Sequence, residues 1–399
     1  MTVSRKWWIL LAVLFLLPRL ALLFAELGRP LRGDELSYAQ IAHNVATGHG
    51  FAGGEGAEAR VPTAVRGPVY VLLVAAFERI FGPTRTPVFL FQVLLDALAL
   101  VLVVRIARAW FASGRTAWLA GALYATYPPV VIAVTSLLTE TLTHVTLLAW
   151  VAFFFRYLDR RRWRDLVVAS VALGLCALGK PALVLFAPVT CLAAWSRLGA
   201  RGFVRVLSAV TLLIALTLSP WIVRNAVVFH AFIPGVSLGG MGLLFGSGAF
   251  NGRTVGALQD ANVPDSIRAH VATMDEMEAN RWAAREARRA MAADPVGYAK
   301  LSAAKVARLW FNLGFHDPPS RASLGLALFN VVLLVLAVLG SSASRDPSAG
   351  RLLLFGAVYW TLVHVPFVAN VRYAVPFYAL VFPFAAAGVV RSTTAGRLR

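Results

Sequence analysis

The sequence predicts an all-α integral membrane protein. Residues 1–399 form a single polytopic domain of about ten transmembrane helices, with two long loops that carry short interfacial helices. Three observations carry that prediction. Of 399 residues, 59% are hydrophobic and only 14% charged, and the mean hydropathy is +0.70. So few charges cannot coat a water-soluble surface, so lipid is the solvent for most of the chain. Apolar stretches recur at the length needed to cross a hydrocarbon core ~30 Å thick. When only the short connections between those stretches are counted, the arginine clusters fall on every second one.

The expected spans are 7–25, 87–109, 116–134, 137–156, 165–179, 181–195, 204–223, 322–340, 351–368 and 373–390. Arg5 and Lys6 precede the first, whose length from Trp7 to Ala25 suits a spanning helix better than the core of a cleaved leader. Pro68–Phe81 is apolar but short and carries Glu78 and Arg79, which fits an interfacial or re-entrant helix.

One set of short connections holds Arg105, Arg108 and Arg115; then Arg156, Arg160, Arg161, Arg162 and Arg164; then Arg197, Arg201 and Arg205. Arg345 and Arg351, and finally Arg391, Arg397 and Arg399, continue the series that Arg5 and Lys6 begin. By the positive-inside rule these connections and both termini are cytoplasmic, which fits a bacterial inner membrane. The opposite face receives loops 26–86 and 224–321, with short connections near 135, 180 and 370. Within the second loop an amphipathic helix is expected from about Asp265 to Met291. Asp294-Pro295 then reads as an N-cap and first helical position, opening a helix through Tyr298, Lys305 and Trp310.

The net charge of +19 does not point to nucleic acid. The basic residues sit in short clusters between apolar segments, where membrane topology accounts for them, and form no stripe interleaved with aromatics. The two cysteines, Cys176 and Cys191, lie in apolar segments, an arrangement that suits neither a structural disulfide nor a zinc site.

The same topology gathers charge on the outer side. Asp34, Glu35, Arg66, Glu140, Lys180, Arg224 and Arg372 come from distant parts of the sequence, yet all map to that one boundary. Ionisable groups at membrane depth are costly, so they pair, line a cavity or handle a substrate. Carboxylates and cations converging there suit an anionic ligand. Each has a plainer reading as well. Asp34 could be an N-cap, Glu140 a structural partner for an arginine, and His144 a satisfied core histidine. Arg66 could be a snorkelling anchor, Lys180 a solvated turn, and Trp221 part of an aromatic belt. Arg19, inside the first span, is expected to snorkel outward or to contact a buried headgroup.

In order along the chain stand Gly33-Asp34-Glu35, Arg66-Gly67-Pro68-x-Tyr70, Thr139-Glu140 and Gly179-Lys180-Pro181. Pro220-Trp-x-x-Arg224-Asn225, Asp294-Pro-x-x-Tyr298 with Leu309-Trp310, and Arg372-Tyr-x-x-Pro376 follow. This series resembles the bacterial relatives of protein O-mannosyltransferases, glycosyltransferase family 39 in the broad sense, within the GT-C superfamily. The resemblance implies a GT-C-type bundle and sugar transfer from a polyprenyl-phosphate donor on the extracytoplasmic face. It implies that Asp34 is the catalytic carboxylate. Related enzymes carry a second acidic residue beside the Arg-Pro or Lys-Pro block, often tied to a metal, whereas here Val65 precedes Arg66. A divalent metal (Mg, Mn or Zn) would therefore need Glu35 or Glu140.

The physics of the compartment leads the same way. Nucleotide sugars are cytoplasmic, so an outward-facing transferase needs a donor that crosses in the membrane, as a lipid-phosphate sugar does. Asp34 would take the acceptor's proton, and Arg66, Lys180, Arg224 and Arg372 would stabilise the leaving phosphate. One such contact is worth ~3 kcal/mol, about a hundredfold in rate. Direct displacement would invert the anomeric centre. The acceptor, whether lipid, glycan or protein, would meet loop 224–321, and the sugar could be a hexose or a pentose. The rival from another class is a transporter or flippase of lipid-linked sugars. That class favours repeated halves and midplane polar sites.

Overall fold

The computed structural model describes residues 4–26, 28–53, 60–249, 264–312 and 320–395. Arg397 and Arg399, counted above among the cytoplasmic cations, lie outside the described residues. In chain order the first elements are α1 (Arg5–Glu26), α2 (Asp34–Ala46), β1 (Ala52–Gly53), β2 (Val61–Pro62) and α3 (Pro68–Phe81). Next come α4 (Thr86–Phe111), α5 (Gly114–Thr126), α6 (Pro128–Ala133), α7 (Glu140–Arg160) and α8 (Trp163–Gly179). A 3-10 turn, Pro181–Leu183, leads to α9 (Phe186–Ala193) and α10 (Trp195–Phe229). The remainder is α11 (Gly239–Ser247), α12 (Asp265–Ala272), α13 (Glu276–Ala293), α14 (Pro295–Phe311), α15 (Arg321–Ser341), α16 (Pro347–His364) and α17 (Val371–Ala395).

The protein is a multi-pass membrane protein. Among the described residues six helices are long and apolar enough to cross a bilayer: α1, α4, α7, α10, α15 and α17. The expected spans 165–179 and 351–368 fall on α8 and α16, which are not among the six, and two more take another form. The segment 116–134 breaks at Tyr127, which is extended, because Pro128 and Pro129 supply no backbone N–H and push the preceding residue out of the helical region. Pro181 ends α8 in the same way, with Lys180 extended, and the segment 181–195 becomes the 3-10 turn and the eight-residue α9.

The chain divides into two compact units. The first is Met1–Gly235, Leu333–Gly356 and Val375–Arg399; the second is Val236–Val332 and Ala357–Ala374.

In the first unit α4 packs on α5 and α7, α7 on α8, and α8 on α10. Burial in α1 is confined to Leu11, Phe15, Arg19 and Leu23, one residue per turn, while Leu17 and Phe24 are exposed on the apolar outer face. That phase settles Arg19, which neither snorkels nor meets a headgroup here. It is fully buried, its Nε donates to Asp96 Oδ2 at 2.5 Å, and its Nη1 donates to the carbonyls of Phe15 and Ala125 at 2.9 and 2.8 Å. Tyr124 donates its hydroxyl to the other Asp96 oxygen. The arginine shares the buried stripe, so the bundle supplies a carboxylate and carbonyls in place of water.

In the second unit α11 lies on α13 through Leu244, Ala283 and Ala287. The single amphipathic helix expected over 265–291 is two. Asp275 starts α13 with a capping box, accepting from Met277 N and Glu278 N at 2.8 Å while Glu278 reaches back to its amide at 3.3 Å. Asp294 caps α14 as expected, accepting from Gly297 N at 2.7 Å.

Candidate active site

The carboxylates of the first loop stand at the start of α2. Gly33, with φ +54°, is the N-cap and makes no side-chain cap bond, so Asp34 is the first helical residue rather than the cap. Its Oδ1 accepts from Arg66 Nη2 at 2.7 Å, and Arg66 Nε donates to Ser37 one turn along α2 at 3.2 Å. The Arg66 guanidinium also lies 5.0 Å from the centre of the Tyr38 ring. Asp34 and Arg66 are both half-buried.

Arg66 is brought here by a backbone contact. A Cβ at Gly67 would fall 1.7 Å from the Leu178 carbonyl oxygen, so the start of α3 touches the end of α8 main chain to main chain. Only glycine allows that approach. The next residues of that second segment are Gly179 and Lys180, and Lys180 Nζ bonds Glu140 Oε1 at 3.3 Å. Asp34–Arg66 and Glu140–Lys180 are thus two ion pairs in one unit, joined by the Gly67–Leu178 contact. Tyr38 bridges them: it hydrogen-bonds Thr139, next to Glu140, and burial, opposed by the charge of Arg66, pushes its hydroxyl up to about 12. Tyr38 packs edge-on against Tyr70 at 5.3 Å, and Tyr70 donates to Gln92 at 3.0 Å.

Glu35 has a different set of partners. Arg29 grips it in a fork, Nη1 to Oε2 at 2.9 Å and Nη2 to Oε1 at 2.8 Å. The amides of Arg32 and Leu137 donate to Oε2 and Oε1 at 3.1 and 2.9 Å. A carboxylate offers about four lone-pair positions, and these four donors occupy them. Burial raises the Glu35 pKa, but the Arg29 guanidinium and the two amides outweigh it and hold the carboxyl below its ordinary range. Glu35 therefore ties the start of α2 to the turn before α7, and its donor set does not fit a metal ligand. Glu140 already meets Lys180, and among the described residues no group of three or more His, Cys, Asp or Glu side chains comes together to hold an ion. Among the described residues, those present do not fit the divalent metal that the family resemblance raised.

Arg224 meets main-chain carbonyls of the first loop. Its Nη1 donates to Thr63 O at 2.8 Å and its Nη2 to Phe51 O at 2.9 Å, with the guanidinium over Phe51 and Trp221. Both partners flank the β1–β2 hairpin, and Thr63 stands three residues before Arg66, so Arg224 braces the segment that carries Arg66. Arg372 belongs to the second unit, at the start of α17, where its amide donates to Asn370 Oδ1 at 3.0 Å and its guanidinium lies 5.2 Å from the Tyr373 ring. His144, one turn beyond Glu140, is fully buried beside Tyr124 at 6.3 Å between ring centres.

Sequence reasoning missed Ser37, Tyr38, Arg29 and Gln92. The first two carried a usable signal, because positions three and four after Asp34 share its helical face.

Comparison with known proteins follows the same lines. The family model for dolichyl-phosphate-mannose-protein mannosyltransferases matches residues 65–223, a stretch that includes Arg66, Glu140 and Lys180 and stops one residue before Arg224. Curated proteins give no match. Archaeal oligosaccharyltransferase AglB from Archaeoglobus fulgidus, solved with an inhibitory peptide and a dolichol-phosphate, superposes with TM-score 0.54 at 14% identity. The match covers 97% of this chain and 50% of that one, so the chain spans half the length of AglB. ArnT from Cupriavidus metallidurans aligns at TM-score 0.45 bound to undecaprenyl phosphate and 0.46 in the apo state, with 14% and 17% identity. Those alignments cover 99% and 94% of this chain, and 80% and 76% of ArnT. The chain shares the multi-pass helical fold of AglB, and its residues 65–223 are similar to the dolichyl-phosphate-mannose-protein mannosyltransferase family.

Proposed function

We propose that this protein is a glycosyltransferase that moves a sugar from a polyprenyl-phosphate donor to a lipid, glycan or protein acceptor at the extracytoplasmic face of a bacterial inner membrane. The observation that carries the reading is the 2.7 Å contact between Asp34 and Arg66, which sets a carboxylate beside a cation at the lip of the first loop. The dolichol-phosphate held by AglB supports a lipid-phosphate donor, and its inhibitory peptide supports a protein among the acceptor classes.

In the proposed step an acceptor hydroxyl oxygen attacks the anomeric carbon. The new C–O bond forms as the bond to the lipid phosphate breaks, and the electron pair leaves with the phosphate oxygen. Asp34 takes the hydroxyl proton, and the anomeric centre inverts. Arg66 holds Asp34 in an ion pair before the donor arrives. A guanidinium has five N–H donors, so two contacts with Asp34 and Ser37 leave it the capacity to meet a phosphate. Lys180 supplies a second cation one backbone contact away. Arg224 acts through the hairpin, and Arg372 keeps the phosphate role that the motif order implies. No step runs through a metal.

The test is transfer from radiolabelled undecaprenyl-phosphate sugars to envelope acceptors by the purified full chain in proteoliposomes. Asp34→Asn should stay folded and lose about 10²–10⁴ in rate. Full activity in that variant would remove Asp34 from the chemistry. Lipid movement across the bilayer without bond cleavage would favour the transporter reading.

A further inference from the structure

The second unit contains a buried cation that the proposed chemistry does not use. Lys305, in α14, has no exposed surface, and its Nζ donates to the carbonyls of Gly246 in α11 and of Val365, the latter at 2.8 Å. The Tyr298 ring lies 5.2 Å away. Neither α11 nor the segment 365–370 contains a titratable side chain. A buried ammonium is tolerated only where it is hydrogen-bonded, so its two carbonyl partners hold three segments about one nitrogen.

Those segments meet closely. A Cβ at Gly246 would fall 2.3 Å from the Pro366 carbonyl oxygen, so α11 and the segment after α16 touch through main chain. From Val365 the restraint passes to the start of α17. His364 stacks on Trp360 and on Tyr373 at 5.5 and 5.8 Å, Trp360 Nε1 donates to Tyr373 O at 2.8 Å, and Asn370 receives the Arg372 amide. On the other side of the lysine, Trp310 Nε1 donates to Thr361 at 3.0 Å. Arg372 is therefore the second residue of a helix whose lead-in is held to the long second loop through Lys305.

We propose that Lys305 is a positioning residue for Arg372: by gripping Val365 O and Gly246 O it sets the turn from which Arg372 reaches a phosphate-bearing ligand. The proposal rests on the reading of Arg372 as a donor-phosphate contact.

The experiment is titration of the purified full-length chain in detergent with undecaprenyl phosphate, read by native mass spectrometry, alongside thermal unfolding. Arg372→Ala should raise Kd about tenfold, the scale of one charge-assisted contact. Lys305→Met and, separately, Gly246→Ala should each raise Kd by a similar factor, Lys305→Arg should restore most of it, and Lys305→Met added to Arg372→Ala should cost nothing more. If Lys305→Met does not fold, Gly246→Ala decides. A raised Kd in Arg372→Ala with Kd unchanged in the Lys305 and Gly246 variants would overturn the positioning role and leave the functional reading intact. Additive losses in the double variant would overturn it too. An unchanged Kd in Arg372→Ala would instead refute the phosphate reading beneath it.

Discussion

Gly67 and Leu178 touch through their main chains: a side-chain carbon on Gly67 would sit 1.7 Å from the Leu178 carbonyl oxygen. This contact sets the Arg66 and Lys180 segments side by side, although more than a hundred residues separate them in the sequence. The backbone of α8 cannot yield as a side-chain tip would. Gly67→Ala should therefore cost at least about 1–3 kcal/mol, seen as a lower melting temperature in detergent, with loss of sugar transfer. A variant with wild-type melting and transfer would show that the two segments are not held in contact.

Removal of the cations should separate binding from chemistry. Arg66→Ala and Lys180→Ala are expected to raise KM for the lipid-phosphate donor and to lower kcat/KM about a hundredfold each, the scale for losing one electrostatic contact to a leaving group. Steady-state kinetics at varied donor concentration checks this. Unaltered donor kinetics in both would move the phosphate site elsewhere.

Glu35 gives a pH-dependent stability. Its folded pKa lies below the ordinary 4.5, held there by Arg29 and the Leu137 and Arg32 amides against the upward push of burial. The contribution is therefore complete above the ordinary value and is lost as pH falls through the lower folded value. Glu35→Gln should cost about 3 kcal/mol at neutral pH. The gap in melting temperature between wild type and variant should shrink as pH falls below 4.5. A gap that persists unchanged into strong acid would mean that the charge of Glu35 does not hold the loop.

The Arg19–Asp96 pair makes an opposite comparison. Arg19→Met alone strands the Asp96 carboxylate among apolar helices and should cost about 3–5 kcal/mol. Arg19→Met with Asp96→Leu removes both charges, and most of that loss should return, since well-packed apolar replacements of buried pairs are often neutral. Thermal unfolding of the single and double variants in one detergent measures both. Equal losses in the two would show that the pair is worth more than the carbons that replace it.

The legibility of these sites follows from range. Asp34, Arg66, Glu140 and Lys180 could be named beforehand because each sits at a boundary between an apolar run and a polar turn, where charge stands out. The partner of Arg19 could not, since Asp96 lies 77 positions away inside another apolar helix. Glu35 was indistinguishable from Asp34 by type and place; the arrival of Arg29 and the Leu137 amide separates a structural carboxylate from a catalytic candidate. The carbonyl partners of Arg224 were equally out of reach, since Thr63 and Phe51 lie 161 and 173 positions away.

The sequence by itself determined the membrane-spanning class and the helix starts at Pro68 and Pro295. Those properties depend on the solvent each short segment can tolerate and on the backbone limits of proline and glycine, which act within a few residues. Only the tertiary structure decided which charge meets which. A carboxylate's partner is fixed by distances of about 3 Å, and helices alone can choose among many such pairings until backbone contacts such as Gly67 against Leu178 allow one.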